Sequence, residues 1–344
     1  MIRAAIKKVV EGQSLSEDEA LGVMQEIMDG DATPSQIASF ITALRIKGET
    51  VEEVAGLAQV MLEKSIRIPV KRKSMDSLID TCGTGGDHLN TFNISTTAAF
   101  VAAGAGVCVA KHGNRAMSSK CGSADVLEAL GVDITLGPEQ VGKCVDRVRI
   151  GFMFAPSLHP SMKHAVVPRK EIGIRTVFNI LGPLTNPACA KRQLIGVFEP
   201  HLTELMAGVL KLMGSESAII AHGMDGIDEL STLGTTKITE LRGGEIETYE
   251  LSPEDMGLRR ASVEELAQGE NPAESACIVE SVLRGESGAR RDIVILNAGA
   301  ALKVAGKAKT IKEGMDIAKS CIDEGKALEA LDALRKLSQE LAKN

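Results

Sequence analysis

Ser77-Leu78-Ile79-Asp80-Thr81-Cys82-Gly83-Thr84-Gly85-Gly86-Asp87 runs from an apolar stretch straight into three glycines in four positions. The pattern predicts a strand over Ser77 to Thr81, followed by a loop whose backbone lacks Cβ atoms. Such a loop lets several N–H groups converge on one anion. Downstream, Asn93-Ile94-Ser95-Thr96 opens the helical run Thr97 to Ala103. A helix start presents unpaired N–H groups and a partial positive charge. Strand, glycine loop and polar helix start together predict a phosphate site, against the plainer reading of a tight turn with an N-cap. The spacing is neither a Walker A loop nor a G-x-G-x-x-G fingerprint. Ser95 also offers a hydroxyl to a metal or a phosphate.

Outward from this unit, short apolar runs alternate with helical patterns. Val107 to Lys111, Ile150 to Phe154, Gln193 to Val197 and Ala218 to His222 read as further strands. The alternation predicts an α/β fold with a largely parallel sheet. The segment from about His159 to Leu181 is rich in Pro, Lys, Arg and His and has helical spacing, so it reads as a helical insertion. Beyond Asn271 helices alternate with one more predicted strand, Asp292 to Leu296. On the N-terminal side, Ser16 with Glu19, Thr33 with Gln36 and Thr50 with Glu53 read as capping boxes. Pro34 suits a first helical position, and Gly30 and Gly48 stop the first two of these helices. Lys71-Arg72-Lys73 reads as a solvated linker.

At 344 residues and ~150 residues per domain, about two domains are expected. A hydrophobic fraction of 44% fits a well-buried core. No stretch approaches the ~18 apolar residues of a membrane span, and no secretory signal is visible at the start. Seven scattered cysteines without a C-x-x-C pair exclude a disulfide framework or zinc site and fit reduced thiols in a cytoplasmic protein. The net charge of −7, the absence of Trp and a single Tyr speak against a nucleic-acid binder. On that acidic background Lys111-His112-Gly113-Asn114-Arg115-Ala116-Met117-Ser118-Ser119-Lys120 stands out as a focused positive loop for a polyanion. It follows a predicted strand, so it would face the same crevice as the first glycine loop. Ser123 begins another helix and is a further phosphate candidate.

Asp228-Glu229 is a pair of adjacent acids, in isolation usually a solvated turn. Beside a phosphate-rich substrate such a pair suits Mg²⁺, which takes one or two carboxylates and bridges phosphates. Lys163, His164, Arg169, Lys170 and Arg175 lie in or beside the insertion. Most of them read as surface charge, though Arg on a rigid helix can grip a carboxylate bidentately.

Taken together, Gly83–Asp87, Asn93–Thr96, Lys111–Arg115, Gly122–Gly131, Gly173–Pro187 and Asp228-Glu229 resemble the anthranilate phosphoribosyltransferases in order and across nearly the whole chain. The resemblance implies a small all-helical domain plus a larger α/β domain with a central, mostly parallel sheet, the nucleoside phosphorylase/phosphoribosyltransferase type. The helical domain would be residues 1–70, completed by an insertion at about 159–185. Residues 71–158 and 186–344 would form the α/β domain, and members pair as homodimers through the helical domain. The resemblance places phosphoribosyl pyrophosphate (PRPP) on Gly83, Gly86, Asp87, Thr91, Asn93, Ile94, Ser95, Thr96, Lys111, His112, Gly113, Asn114, Arg115, Ala116, Met117, Ser118, Ser119 and Ser123. It places Mg²⁺ on Ser95, Asp228 and Glu229, and anthranilate on Gly83, Asn114 and Arg169. The implied reaction, a step of tryptophan biosynthesis, joins the anthranilate amine to ribose C1 with inversion and releases pyrophosphate. An aromatic amine is already neutral at pH 7, so His112 is assigned positioning or late proton acceptance rather than an essential role. Cys121 departs from the serine that the family leads one to expect. Its place beside the loop raises thiol sensitivity as an expectation.

Two other readings remain at this point. A pyrimidine nucleoside phosphorylase shares the architecture but is disfavoured by Lys111–Arg115 and Asp228-Glu229. A non-catalytic nucleic-acid-binding relative is disfavoured by the net charge of −7.

Overall fold

The structure is a computed structural model and describes residues 1–86, 89–116 and 120–343. Local signals set the first helices. Helix α1 (Ile2–Val10) has no side-chain cap and is held by its apolar face, Ile2, Ala5 and Val9. The capping boxes predicted for α2 (Glu17–Asp29), α3 (Pro34–Lys47) and α4 (Val51–Glu63) all form, and Gly30 ends α2 at φ 84°. The basic run after residue 70 is not a plain linker: it starts the short helix α5 (Arg72–Met75).

The sheet strands are β1 (Ile79–Gly83), β2 (Val109–Gly113), β3 (Ile150–Phe154), β4 (Arg192–Gly196), β5 (Ser217–Gly223), β6 (Thr236–Arg242) and β7 (Glu245–Leu251). Their order is β3-β2-β1-β4-β5-β6-β7, with β3 through β5 parallel and β6 and β7 antiparallel. The β6–β7 hairpin was not anticipated. Its signal is Gly243-Gly244, which supplies positive φ at both turn positions, 59° and 83°. The Glu-rich β7 lies at the sheet edge, where charge discourages pairing with another chain.

Between strands run α6 (Ile94–Gly104), α7 (Ser123–Ala129) and α8 (Pro138–Val148). After α9 (Ala155–Leu158), the segment expected to be a helical insertion holds a 3₁₀ turn at Pro160–Met162, α10 (Lys163–Ile172) and α11 (Phe178–Leu184). Helix α12 (Leu202–Leu212) follows β4, and α13 (Pro272–Leu283), α14 (Ala289–Val304), α15 (Ile311–Asp323) and α16 (Lys326–Ala342) close the chain. The strand expected at Asp292 to Leu296 is therefore wrong, because those residues lie inside α14. A short apolar run cannot separate a buried strand from a buried helix, and here the run continues well past strand length.

Alternate strand residues serve two cores, as a two-residue period requires. Ile79, Val109, Leu194 and Ile219 pack under α6 and the C-terminal helices. Cys82, Ile195, Ala218 and Ile220 pack on the other face, under α12, the N-terminal helices and α11. Since β2 and β4 flank β1, the chain changes direction across the sheet at β1, and crevices form at the carboxyl ends of such strands.

Candidate active site

The first glycine loop leaves β1 at this crevice. Gly83 ends the strand, and a Cβ there would lie 2.8 Å from Asp228 Oδ2. Gly85 and Gly86 take φ of 66° and 86°, which turns the chain back along the sheet edge. The Gly85 N–H donates to Asp228 Oδ2 at 2.9 Å. The Ser95 N–H, in the first turn of α6, donates to Glu229 Oε1 at 3.1 Å. The two adjacent acids thus reach the two backbone features singled out for an anion, the glycine loop and the helix start.

Asn93 is the N-cap of α6, with its carbonyl accepting from Thr97 at 3.0 Å. Its Nδ2 donates to the Cys121 carbonyl at 3.2 Å, while its Oδ1 is buried without a hydrogen-bond partner among the described residues. Ile94 and Thr96 are buried in the first turn. Thr91 pairs with Ala267 in an isolated antiparallel bridge. Asp87, Met117, Ser118 and Ser119 lie outside the described residues.

Lys111 and His112 lie on β2 and are buried. Lys111 Nζ donates to the Thr81 carbonyl and lies 3.4 Å from Ser95 Oγ. Burial pushes its pKa down, against the attraction of the Asp80 carboxylate. Asp80 is fully buried in β1; it accepts the His112 N–H at 3.1 Å and Asn186 Nδ2 at 2.7 Å. The sequence reading missed this anchor, whose signal is an acid inside an apolar strand. Gly113 closes β2 against Ser123 Oγ. Ser123 Oγ accepts the Asn114 N–H at 3.2 Å, and Asn114 Oδ1 accepts the Arg115 N–H at 2.8 Å.

The positive loop is less free than its composition suggests. Arg115 pairs with Asp125 at 2.8 Å and Glu128 at 2.9 Å, and Lys120 pairs with Glu270. Ala116 N–H also donates to Asp125 Oδ2 at 2.9 Å, so the acids of α7 hold the loop in shape.

Across the crevice stands the insertion. His112 Nδ1 lies 3.2 Å from the Gly182 carbonyl. A carbonyl only accepts, so Nδ1 carries the hydrogen and Nε2 keeps a bare lone pair. That Nε2 is buried without a partner among the described residues. The His159 ring stacks obliquely on the His112 ring at 5.2 Å and is buried beside the Met61 backbone. Burial holds the pKa of His112 down to about 3 and that of His159 down to about 4, so both rings are neutral at pH 7. Arg169 rests its guanidinium over the Phe178 ring at 5.2 Å and forms no ion pair among the described residues. Arg175 stacks over Phe198 at 4.3 Å and donates to the Gly86 carbonyl, tying the insertion to the glycine loop. His159 and this role of Arg175 were not read from sequence, because only the folded chain sets them beside β1 and β2.

A parallel sheet with a glycine loop at its switch point, a polar helix start and two acids across both is the frame of a phosphate-handling transferase. The comparisons agree: the helical-bundle domain of a glycosyl transferase family matches residues 3–65, and its a/b domain matches residues 75–328. The chain belongs, more narrowly, to the anthranilate phosphoribosyltransferases. It is 58% identical over 332 residues to the anthranilate phosphoribosyltransferase of Acetivibrio thermocellus, covering 96% of this chain and 95% of that one. The Symbiobacterium thermophilum enzyme is 53% identical over 340 residues, with 99% and 98% covered. The crystal structure of the Thermus thermophilus enzyme superposes with a TM-score of 0.90 at 43% identity, covering 97% of this chain and 99% of that one. The Saccharomyces cerevisiae enzyme, solved in complex with PRPP and Mg, gives 0.88 at 29% identity, with 98% of each chain covered.

Proposed function

We propose that this protein transfers the phosphoribosyl group of PRPP to the amine of anthranilate, giving N-(5-phosphoribosyl)anthranilate and pyrophosphate for tryptophan biosynthesis. The observation that carries the reading is the reach of Asp228 and Glu229 onto Gly85 N–H and Ser95 N–H. Two hard carboxylates beside backbone donors of a glycine loop and a helix start suit Mg²⁺ bridging a diphosphate. Asp228, Glu229 and the Ser95 hydroxyl would hold the ion, which when bound offsets charge on the departing pyrophosphate.

The remaining work falls to the chain itself. Gly83, Gly86, Asp87, Thr91, Asn93, Ile94, Ser95 and Thr96 would cradle PRPP with residues 111–119 and Ser123. Lys111, fixed between Thr81 and Ser95, adds a cation where leaving-group charge grows. Gly83 and Asn114 would meet anthranilate at the loops. Arg169 would read its carboxylate, and the bare Nε2 of His112 would orient the amine and accept its proton late. Holding two substrates across the crevice contributes much of the rate.

The test is the loss of anthranilate fluorescence when the protein is mixed with PRPP and Mg²⁺. A steady decay that needs all three is the expected outcome. No decay, with phosphorolysis of thymidine or uridine instead, would replace this reading with a nucleoside phosphorylase.

We further propose the division into a helical unit of residues 1–70 with 159–185 and an α/β unit of the rest. The packing of α10 on α3 and α2 and of α11 on α4 supports it. A homodimer through the helical unit accompanies it. Leu57, Val60 and Met61, which look like spare apolar positions in sequence, are buried inside the unit and offer no surface. The supporting face is instead the α1/α3 groove, where Val10 is 69% and Ile46 80% exposed. Light scattering at micromolar concentration should give a dimer mass, and Val10→Asp with Ile46→Asp a monomer. A monomeric parent protein would overturn the assembly. A cytoplasmic location is part of the same reading, supported by seven cysteines with no disulfide among them. Among the described residues no helix is long and apolar enough to cross a membrane.

A further inference from the structure

Helix α14 is apolar over most of its length, yet carries Asn297 in the middle, fully buried. Its Oδ1 accepts the Leu230 N–H at 3.0 Å, and its Nδ2 donates to the Leu230 carbonyl at 2.9 Å and to the Ile293 carbonyl at 2.9 Å. Both donor hydrogens and the acceptor oxygen are thus engaged. Leu230 directly follows Glu229, lies outside any strand and is fully buried, so its backbone groups need partners that no sheet ladder supplies. One side chain of a core helix provides both. On the opposite side, Gly196 lets the Asp228 carbonyl oxygen rest where a Cβ would otherwise stand. The acidic pair is therefore located from two directions, by a missing side chain on β4 and by an amide on α14.

We infer that Asn297 is a positioning residue for the metal-binding carboxylates, acting through the backbone of Leu230. The inference rests on the reading of Asp228 and Glu229 as the Mg²⁺ ligands. Without the amide, the Leu230 N–H and carbonyl lose their partners and the loop must re-route to find others. The carboxylates then leave Gly85 and Ser95, while the insertion on the far side of the crevice is untouched. Loss of an outer partner of a metal ligand typically weakens metal binding about 10-fold or more.

The experiment uses Mn²⁺ as a paramagnetic substitute, titrated into the full-length protein with PRPP, and reads bound metal from the enhancement of water proton relaxation. Asn297→Leu keeps the volume without the hydrogen bonds. Asn297→Ser can still bond the Ile293 carbonyl four residues back but is too short for Leu230. Val279→Ala, a buried change on α13, controls for general loss of stability. Both Asn297 variants should bind Mn²⁺ about 10-fold more weakly with the anthranilate KM unchanged, and Val279→Ala should not. Normal Mn²⁺ affinity in the Asn297 variants, with weakened affinity in Asp228→Asn/Glu229→Gln, overturns the positioning role alone. Normal affinity in that double variant overturns the ligand assignment beneath it. If neither Asn297 variant folds, the residue is a structural clamp and the inference fails.

Discussion

The two walls of the crevice are built by opposite means. On the sheet side the polar groups satisfy one another: Asp228 with Gly85, Glu229 with Ser95, Lys111 with Thr81, Arg115 with Asp125 and Glu128. Where the insertion meets β2, His112 Nε2 and Thr176 Oγ1 are buried without hydrogen-bond partners among the described residues, and Arg169 rests over an aromatic ring. Buried polar groups normally find partners, and an unmatched cluster marks a place where a polar ligand completes the set. The sheet wall is a charge-balanced cradle held by internal contacts. The insertion wall keeps polar groups that the described residues leave unmatched.

The contrast is tested hardest on the sheet wall. Asp228→Asn with Glu229→Gln preserves shape and both backbone contacts but removes the charge that a bridging cation needs. Several kcal/mol of leaving-group stabilisation is at stake, about a thousandfold in turnover. Steady-state rates across a Mg²⁺ series check it. Near-normal activity at low Mg²⁺ would mean the balance between acids and backbone N–H groups is only structural.

Arg169→Ala probes the other wall. A guanidinium meets a carboxylate with two parallel donors, and losing one partner of a buried charged contact costs ~2–5 kcal/mol. The anthranilate KM should rise thirtyfold or more while the PRPP KM changes little, because the cradle is on the sheet. Arg169→Lys should also be impaired, since an ammonium lacks the fork. An equal rise in both constants would remove Arg169 as the carboxylate reader, leaving Arg175 and Lys163 to be tried. Arg175 is already committed to the Gly86 carbonyl.

The buried imidazoles give a third expectation, a pH dependence of stability. Burial holds His112 at about 3 and His159 at about 4. Unfolded histidine titrates near ~6.5. Below that value the unfolded chain binds protons that the folded chain refuses, so stability is complete above pH 6.5 and falls as the pH drops towards the folded values. The slope is ~1.4 kcal/mol per pH unit per ring, or about 2 kcal/mol each by pH 5. Thermal melts from pH 7 to 5 should show the fall, and His112→Gln with His159→Gln should flatten it. An unchanged slope in the double variant would place the proton uptake elsewhere.

What could be read from the chain follows the same division. The sheet wall is local in sequence: strand, glycine loop and helix start are consecutive, so its residues stand out before folding. The acids were legible as a pair, but their reach onto Gly85 and Ser95 needed the sheet order that brings the loop after β5 to the end of β1. The insertion wall is assembled from distant pieces. His159 meets His112 only because the chain after β3 folds back over β2, and Asn297 looks like a stray amide in a helix until Leu230 is seen against it. Asp292 to Leu296 was misjudged because it has the composition of a strand but lies in a buried helix, where tertiary surroundings overrode local preference.

The smallest expected effect concerns Cys121, which lies on the sheet wall although its thiol plays no part in the balance there. It is 4% exposed, its Sγ lies 3.7 Å from the Gly122 carbonyl, and burial raises its pKa. A thiol that is both covered and protonated is a poor nucleophile. The thiol sensitivity suggested by its position is therefore not expected. Its carbonyl, not its sulfur, receives Asn93 Nδ2, and that contact survives any side-chain change. Cys121→Ser should leave kcat/KM within about twofold, the range of substitutions that break no buried contact. Cys277 is the exposed cysteine among the seven and lies on α13. Brief treatment with iodoacetamide followed by peptide mass mapping should find Cys277 modified first, with activity retained. Loss of activity in step with modification of Cys121 would show that the sheet wall opens far enough in solution to expose its floor. The balanced cradle would then be a mobile element, and the contrast between the two walls would be one of motion as much as of polarity.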